Sequence, residues 1–439
     1  MMSELESIAE GVARRLQNRV EEYVVIVERS RREMLKFSGG EATVHQSWDT
    51  IEVSVYTARR DGKILLTELS TPAPAASVEE IVRLLDRIEP SPLYAPLPSA
   101  SGADYRVVDP VIVSHLEGSQ TLDLGHDLEI ESVGDIAGMA LLGVEARVFR
   151  NSHGDTLHGE KTFFQGYARV FQGGVSGQWS WASTEYGGAK KARRAIQVAR
   201  ELAGECASLP RGKVEPGEYR LLMSPMVAGS LVDTLVQMTN AASIIFGSSF
   251  IRPESVGEKV FSEGLTVRDE PRNAELPGYA LHDDEGVATR DKYVIRRGVL
   301  ETLLHNTKTA RLMGHETTGN AGLIMPRPFN IVVEPGDISS GELLEALGTG
   351  VYATNIWYTR FQNYAEGAFS TVTRDAAFLV KNGRPVECLQ RFRITGRMGD
   401  LFSSIEAAGK EAWDLEWWEI PVPTRAPHLL ASRAGISSV

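Results

Sequence analysis

The sequence predicts an α+β protein in two parts. An N-terminal α/β layered domain covers 1–210, itself divisible near 90–110. A large, mostly antiparallel, β-rich domain of barrel or sandwich type covers 215–439. Three observations point there. Helical apolar stripes are concentrated in the first half, whereas the second half is a succession of short apolar runs bounded by glycine. Asn382-Gly383, between two such runs, signals a type I′ hairpin. The stretch 204–217, with Pro210, Gly212 and Pro216, has the composition of a boundary. At 439 residues the chain also exceeds one ordinary core.

The elements follow in order. Leu5, Ile8, Val12, Leu16 and Val20 share one face of a helix over 4–21. A strand is expected at 23–27. Ile51, Val53 and Val55 alternate with polar residues as a half-buried strand does, and 64–69 should pair with them across Asp61-Gly62. The stretch 71–104 carries six prolines and reads as a surface linker around a short helix near 78–88.

Three strands are expected over 144–184, two of them joined at Gln172-Gly173-Gly174. After Gly187-Gly188 a helix runs to about Cys206, with Ala192, Ala195, Ile196, Ala199, Leu202 and Ala203 inward. Lys190, Lys191, Arg193 and Arg194 at its start oppose the helix dipole, so an acidic neighbour should compensate; a solvated face is the simpler reading than phosphate binding. Beyond the boundary a helix is expected at 226–246. Strands are expected at 219–223, 259–267, 293–296, 299–304, 330–334, 351–356, 369–373, 376–381 and 386–395.

Composition narrows the function. A hydrophobic fraction of 42% and a charged fraction of 24% are those of an ordinary globular protein. A net charge of −12 argues against nucleic acid or an anionic membrane as partner. No apolar run approaches the ~18 residues of a membrane span, and the acidic start, Met1-Met2-Ser3-Glu4, is unlike a signal peptide. Cys206 and Cys388 are the only cysteines; they make no disulfide framework, and a reducing, cytoplasmic location is expected.

Several glycine-punctuated segments carry more information. They are Asp283-Asp284-Glu285-Gly286, Arg297-Gly298-Val299-Leu300, Thr317-Thr318-Gly319-Asn320-Ala321, Tyr358-Thr359-Arg360-Phe361-Gln362-Asn363 and Val380-Lys381-Asn382-Gly383. In this order and spacing they resemble the C-terminal domain of the TldD/PmbA family. Val148 to Gly154 matches the family's Asn-Ser-x-Gly turn more loosely. The family pairs a zinc-peptidase subunit, TldD, which carries His-Glu-x-x-x-His, with a partner, TldE or PmbA.

The resemblance implies that the zinc stretch would lie on the 226–246 helix, a fixed distance before Gly247-Ser248-Ser249. That register places Val232, Asp233 and Gln237 where the first His, the Glu and the second His would stand. No residue from 223 to 250 is His or Cys. Zinc hydrolysis needs imidazole or thiolate ligands and a carboxylate base; Val232 cannot ligate, and Asp233 alone has no metal-bound water to act on. The peptidase subunit's C-terminal cysteine ligand also has no counterpart over 398–439.

Other sites are weaker. His153 and His158 flank a glycine loop at poor ligand spacing. His282 beside Asp283, Asp284 and Glu285 would suit a divalent cation, but an acidic turn before a strand explains the same residues. No Gly-x-Ser-x-Gly or phosphate-loop motif is present. Asp283, Asp284, Glu285, Asn320, Tyr358, Arg360 and Asn363 are the candidates for peptide or partner binding. Turn capping is the plainer role for Arg360 and Asn363.

The resemblance thus implies a TldE-like, non-catalytic subunit that binds no metal itself. It would complete the substrate chamber of a heteromeric TldD–TldE zinc peptidase, zinc residing in the TldD-type partner, with peptides or unfolded segments as substrate. A homodimer of the isolated chain is compatible with this. The alternatives are an independent hydrolase using His282 and Asp283, and a partner-binding protein in peptide or toxin maturation.

Overall fold

The computed structural model describes residues 2–71 and 75–439. The start of the proline-rich stretch expected over 71–104, at 72–74, lies outside the described residues.

Two sheets organise the chain. The first contains β1 (Glu22–Ser38), β2 (Glu41–Ala58), β3 (Ile64–Leu69), β4 (Tyr105–Val107), β5 (Ile136–Asn151), β6 (Thr156–Gln172) and β7 (Val175–Ser183). Their order is β3-β2-β1-β5-β6-β4, with β7 also on β6. All pairs are antiparallel except β4 with β6. The expected strand at 23–27 is thus the start of a far longer one. The opening helix, Met2–Leu16, and a second, Ala75–Arg87, cover one face; Leu5, Val12, Leu16, Ile81 and Leu85 meet Val25, Val27, Val53 and Val55 there.

The second sheet begins with β8 (Arg211–Gly212), β9 (Gly217–Met223), β10 (Val267–Asp269), β11 (Lys292–Arg296), β12 (Val299–Leu300), β13 (Ile331–Val333) and β14 (Gly350–Ala353). It continues with β15 (Ile356–Asn363), β16 (Ala368–Thr373), β17 (Ala377–Lys381), β18 (Arg384–Leu389) and β19 (Phe392–Arg397), and closes with β20 (Ile405–Trp417) and β21 (Ile420–Ser438). The order is β12-β11-β10-β13-β21-β9-β14-β17-β18-β8, with β15, β16, β19 and β20 branching from it. β13 with β21, β9 with β14 and β8 with β18 are parallel, so the sheet is mixed. The α+β class holds.

A helix at Pro225–Met238 packs against β21. Ser224 caps it through a hydrogen bond from the Val227 amide, and Pro225 supplies a preset first turn. Its residues are apolar nearly all round, which suits a helix enclosed by protein. The helix expected to run to 246 stops earlier. Asn240 caps a separate short helix, Ala241–Ile245, and its Nδ2 donates to the Pro326 carbonyl, so a side chain that competes for backbone partners breaks the stripe.

Two further expectations need correction. Residues 259–267 contain no strand before Val267, and β20 and β21 were not among the expected strands. Charged Glu411, Asp414 and Glu416 and prolines 421, 423 and 427 hide their alternation. The cationic helix start behaves as expected: in Lys190–Ser208, Lys191 meets Asp414 at 2.8 Å, Arg193 meets Glu129 at 3.4 Å and Arg194 meets Glu411 at 3.6 Å.

The reading of two unlinked cysteines is overturned: Cys206, in the last turn of that helix, is bonded to Cys388 on β18. Their Cα atoms lie 5.0 Å apart, although 182 residues separate them in sequence, a proximity only the tertiary fold creates. Arg211 Nη1 lies 3.0 Å from Cys388 Sγ. Denatured protein kept from reductant should therefore show no titratable thiol, and two after reduction; Cys388→Ala should melt several degrees lower, because the cross-link closes a long loop in the unfolded chain. Two free thiols before reduction would contradict the pairing.

Candidate functional site

The Pro225–Met238 helix delivers the three predicted positions to different surroundings. Val232 is wholly buried among apolar side chains. Asp233 is 6% exposed, and its Oδ1 finds no hydrogen-bond partner among the described residues. Burial pushes its carboxyl up to about 7, against a hydrogen bond from Gln237. Gln237, one turn on, lines a cavity of about 360 Å³ between the two sheets. An apolar side chain, a carboxyl whose ionisation burial opposes and an amide, with no imidazole or thiolate, do not fit zinc. Cys388, the last cysteine, is tied to Cys206.

One wall of the cavity comes from the first sheet: Arg32 on β1, Glu145 and Arg147 on β5, and Lys161 and Gln165 on β6. The other comes from Gln237, Arg327, Glu416 on β20 and Pro421 to Pro423 on β21. Glu145 accepts from Arg32 at 2.9 Å and sits 3.8 Å from Lys161. Glu416 has no such partner at Oε2, which is out of solvent, and burial pushes its carboxyl up to about 8 despite Lys161 nearby. At neutral pH the cavity therefore carries more cationic than anionic groups, with a largely protonated acid and two amides able to bond peptide backbone.

None of these lining residues except Gln237 was singled out in sequence. The available signal was charge on alternate positions of otherwise apolar strands, Glu145 and Arg147, and Lys161 and Gln165. It names a wet face without saying what lies opposite.

The acidic turn at 283–286 is spent on architecture. Asp283 accepts from the amides of Glu285 (3.0 Å), Val287 (2.9 Å) and Ala321 (2.9 Å). Burial and Glu285 push it up to about 7. Burial would also raise Asp284, but Arg327 and Arg147 outweigh it and hold that carboxyl at about 2; Arg147 donates at 2.6 Å and Arg327 at 3.0 Å. Glu285 accepts from Lys308 Nζ at 2.6 Å and the Thr307 amide at 2.8 Å, and Lys308 Nζ lies 4.6 Å from the centre of the Tyr56 ring on β2. Gly286, at φ +79°, is pressed against Phe149, where a Cβ would come within 2.8 Å of the ring. Asn320 is buried, donating to Asp269 and to the Arg327 carbonyl.

The predicted residues thus fall into two groups. Asp284, through Arg147, and Glu285, through Lys308 and Tyr56, tie the turn to the first sheet, and Asp283 and Asn320 brace loops of the second half, whereas Tyr358, Arg360 and Asn363 stand exposed on β15. The histidines are dispersed. His282 Nδ1 bonds the Ala103 carbonyl, Nε2 has no partner among the described residues, and burial and Arg147 pull the ring down to about 4. His153 contacts the Leu97 carbonyl, and His158 contacts Asp104 and Glu6.

Residues 216–438 match the PmbA/TldA metallopeptidase C-terminal domain. The chain belongs to the PmbA/TldD family. The metalloprotease PmbA of Escherichia coli O157:H7 is 23% identical over 387 residues, 82% of this chain and 80% of that one. A metalloprotease of Methanocaldococcus jannaschii is 27% identical over 274 residues, and the match spans 60% of each chain. Among solved structures, TldE of Thermococcus kodakarensis superposes with a TM-score of 0.78 at 18% identity, covering 99% of both chains. A Thermotoga maritima protein named as a candidate modulator of a DNA gyrase superposes with a TM-score of 0.82 at 21% identity over 100% of both. The fold over the whole length is that of this family.

Two stability predictions follow from the geometry. Lys308→Met leaves Glu285 buried without its cation and should cost ~3–5 kcal/mol in urea unfolding; adding Glu285→Gln should recover much of it, and a loss below ~1 kcal/mol would contradict the pair's role. For Asp233, the folded chain keeps a proton that the unfolded chain has released between 3.8 and about 7, so stability falls as pH rises through that window. Asp233→Asn should therefore gain on the wild type by a few kcal/mol between roughly pH 4 and pH 8; an unchanged difference across that range would contradict the assignment.

Proposed function

We propose that the chain is a TldE/PmbA-like, non-catalytic subunit of a heteromeric TldD–TldE zinc metallopeptidase acting on peptides or unfolded segments. One observation carries the reading: the buried helix in the peptidase position presents Val232, Asp233 and Gln237, a set without an imidazole or thiolate to hold zinc. The cavity beside Gln237 supports a part in holding peptide. Its amides and the protonated Glu416 match backbone carbonyls and amides, and its volume suits one or two side chains. Zinc and the activated water belong to the TldD-type partner in this reading, and this chain closes the chamber around the substrate. An independent hydrolase at His282 and Asp283 gains nothing from the geometry, because Asp283 is bonded to backbone amides and the His282 ring to a carbonyl.

The test is reconstitution. The purified chain should not cleave casein or unfolded peptides. Mixing it with a His-Glu-x-x-x-His-bearing subunit from the same organism should produce chelator-sensitive cleavage well above that of either alone. Chelator-sensitive cleavage by this chain alone would overturn the proposal.

A further inference from the structure

The cavity between the sheets holds one cation that its own walls leave without an acceptor. Among the described residues, four cationic side chains line the space: Arg32, Arg147, Lys161 and Arg327. Three of them are committed. Arg147 and Arg327 both donate to Asp284 Oδ1, at 2.6 Å and 3.0 Å. Arg32 donates to Glu145 Oε1 at 2.9 Å and to Ser30 Oγ, and its guanidinium lies 5.6 Å from the centre of the Phe163 ring. Lys161 on β6 differs. Its ammonium stands 3.8 Å from Glu145 Oε2, beyond hydrogen-bond reach, and it donates to no acceptor among the described residues.

An ammonium carries three donors, and leaving them unmet is costly where water is scarce. The Lys161 side chain is 20% exposed. Nor does the rest of the lining cancel its charge. Arg147 and Arg327 share one carboxylate, Asp284, and Arg32 and Lys161 share another, Glu145, whose Oε1 is already taken by Arg32. Burial pushes Glu416 up to about 8, so it keeps its proton near neutral pH. Burial and Glu145 push Glu28, behind the same wall, in the same direction.

The space beside Lys161 therefore suits an acceptor with a single negative charge. Glu145 stands close enough to oppose a second charge, which disfavours a phosphate dianion. Leu141, Phe163, Phe329 and Val422 add apolar wall, against which a methylene stem or a small side chain can lie. The amides of Gln165 and Gln237 remain for peptide backbone.

We propose that Lys161 receives a carboxylate of the bound peptide, either its free C-terminus or an Asp or Glu side chain, so that this chain selects acidic peptide groups over neutral ones. The inference rests on the peptide-holding reading above and names the substrate class of the same cavity. Lys161 Nζ donates to the carboxylate, a charge-assisted hydrogen bond in a partly desolvated site.

Isothermal titration calorimetry near neutral pH reads the subsite on the full-length chain. The probes are three short acetylated peptides of alanine and serine: one with a free C-terminus, one with a C-terminal amide, and one amidated with a glutamate in mid-chain. At least one carboxylate peptide should bind about tenfold tighter than the neutral amide, and whichever does so identifies the source of the carboxylate. Lys161→Met should erase that margin and leave the neutral peptide's affinity unchanged; Lys161→Arg should keep it. Both variants should melt like the wild type, because Lys161 makes no hydrogen bond within the chain. Equal affinity of the wild type for all three peptides, binding of none, or a margin that survives Lys161→Met would overturn the subsite. The subunit reading fails on a different result, chelator-sensitive cleavage by this chain alone.

Discussion

Everything else in this molecule depends on how one acidic turn is neutralised. Asp284 is shared by Arg147 on β5 and Arg327 on the opposing loop, and Glu285 is matched by Lys308, itself against Tyr56 on β2. Burying such charges is costly unless each is paired and hydrogen-bonded, and here each is. The turn therefore has one low-energy setting, with the first sheet pressed against the loops of the second. Gly286 against Phe149 permits the close approach. The cavity is the space that this setting leaves open.

Within that space the balance of charge differs from that of a metal centre. A catalytic zinc site gathers neutral imidazoles and an ionised base around an open coordination position. Here the helix offers Asp233, whose desolvation opposes ionisation, and the facing strand offers Glu416, in the same condition. In the cavity itself, Glu416 with its proton favoured by burial, two amides and several cations make a polar lining with groups that match peptide backbone. That contrast supports a division of labour in which chemistry lies in one subunit and enclosure in the other.

Much of the fold was legible, and the unread parts have physical reasons. Uniform apolar faces announced the helices that begin at Met2 and at Lys190, and Asn382-Gly383 announced its hairpin. β20 and β21 escaped because they carry Glu416 and prolines to the cavity wall and Glu411 and Asp414 to the Lys190–Ser208 helix, so their alternation is broken by what they do. The break at Asn240 turns on a single capping side chain. The Cys206–Cys388 bond is a contact across 182 residues, which local pattern cannot express. At the site, the lack of His and Cys over 223–250 was readable because it needs no geometry. The lining residues were not, since they come from strands and loops scattered through both halves. The acidic turn was recognised as special, but its residues serve pairing across the sheets.

The account's central claim is that this chain contributes enclosure and no metal chemistry. Native mass spectrometry of the assembled heteromer, followed by gas-phase dissociation, tests it most directly. The account predicts zinc retained on the TldD-type partner and none on this chain. Zinc leaving with this chain would contradict it.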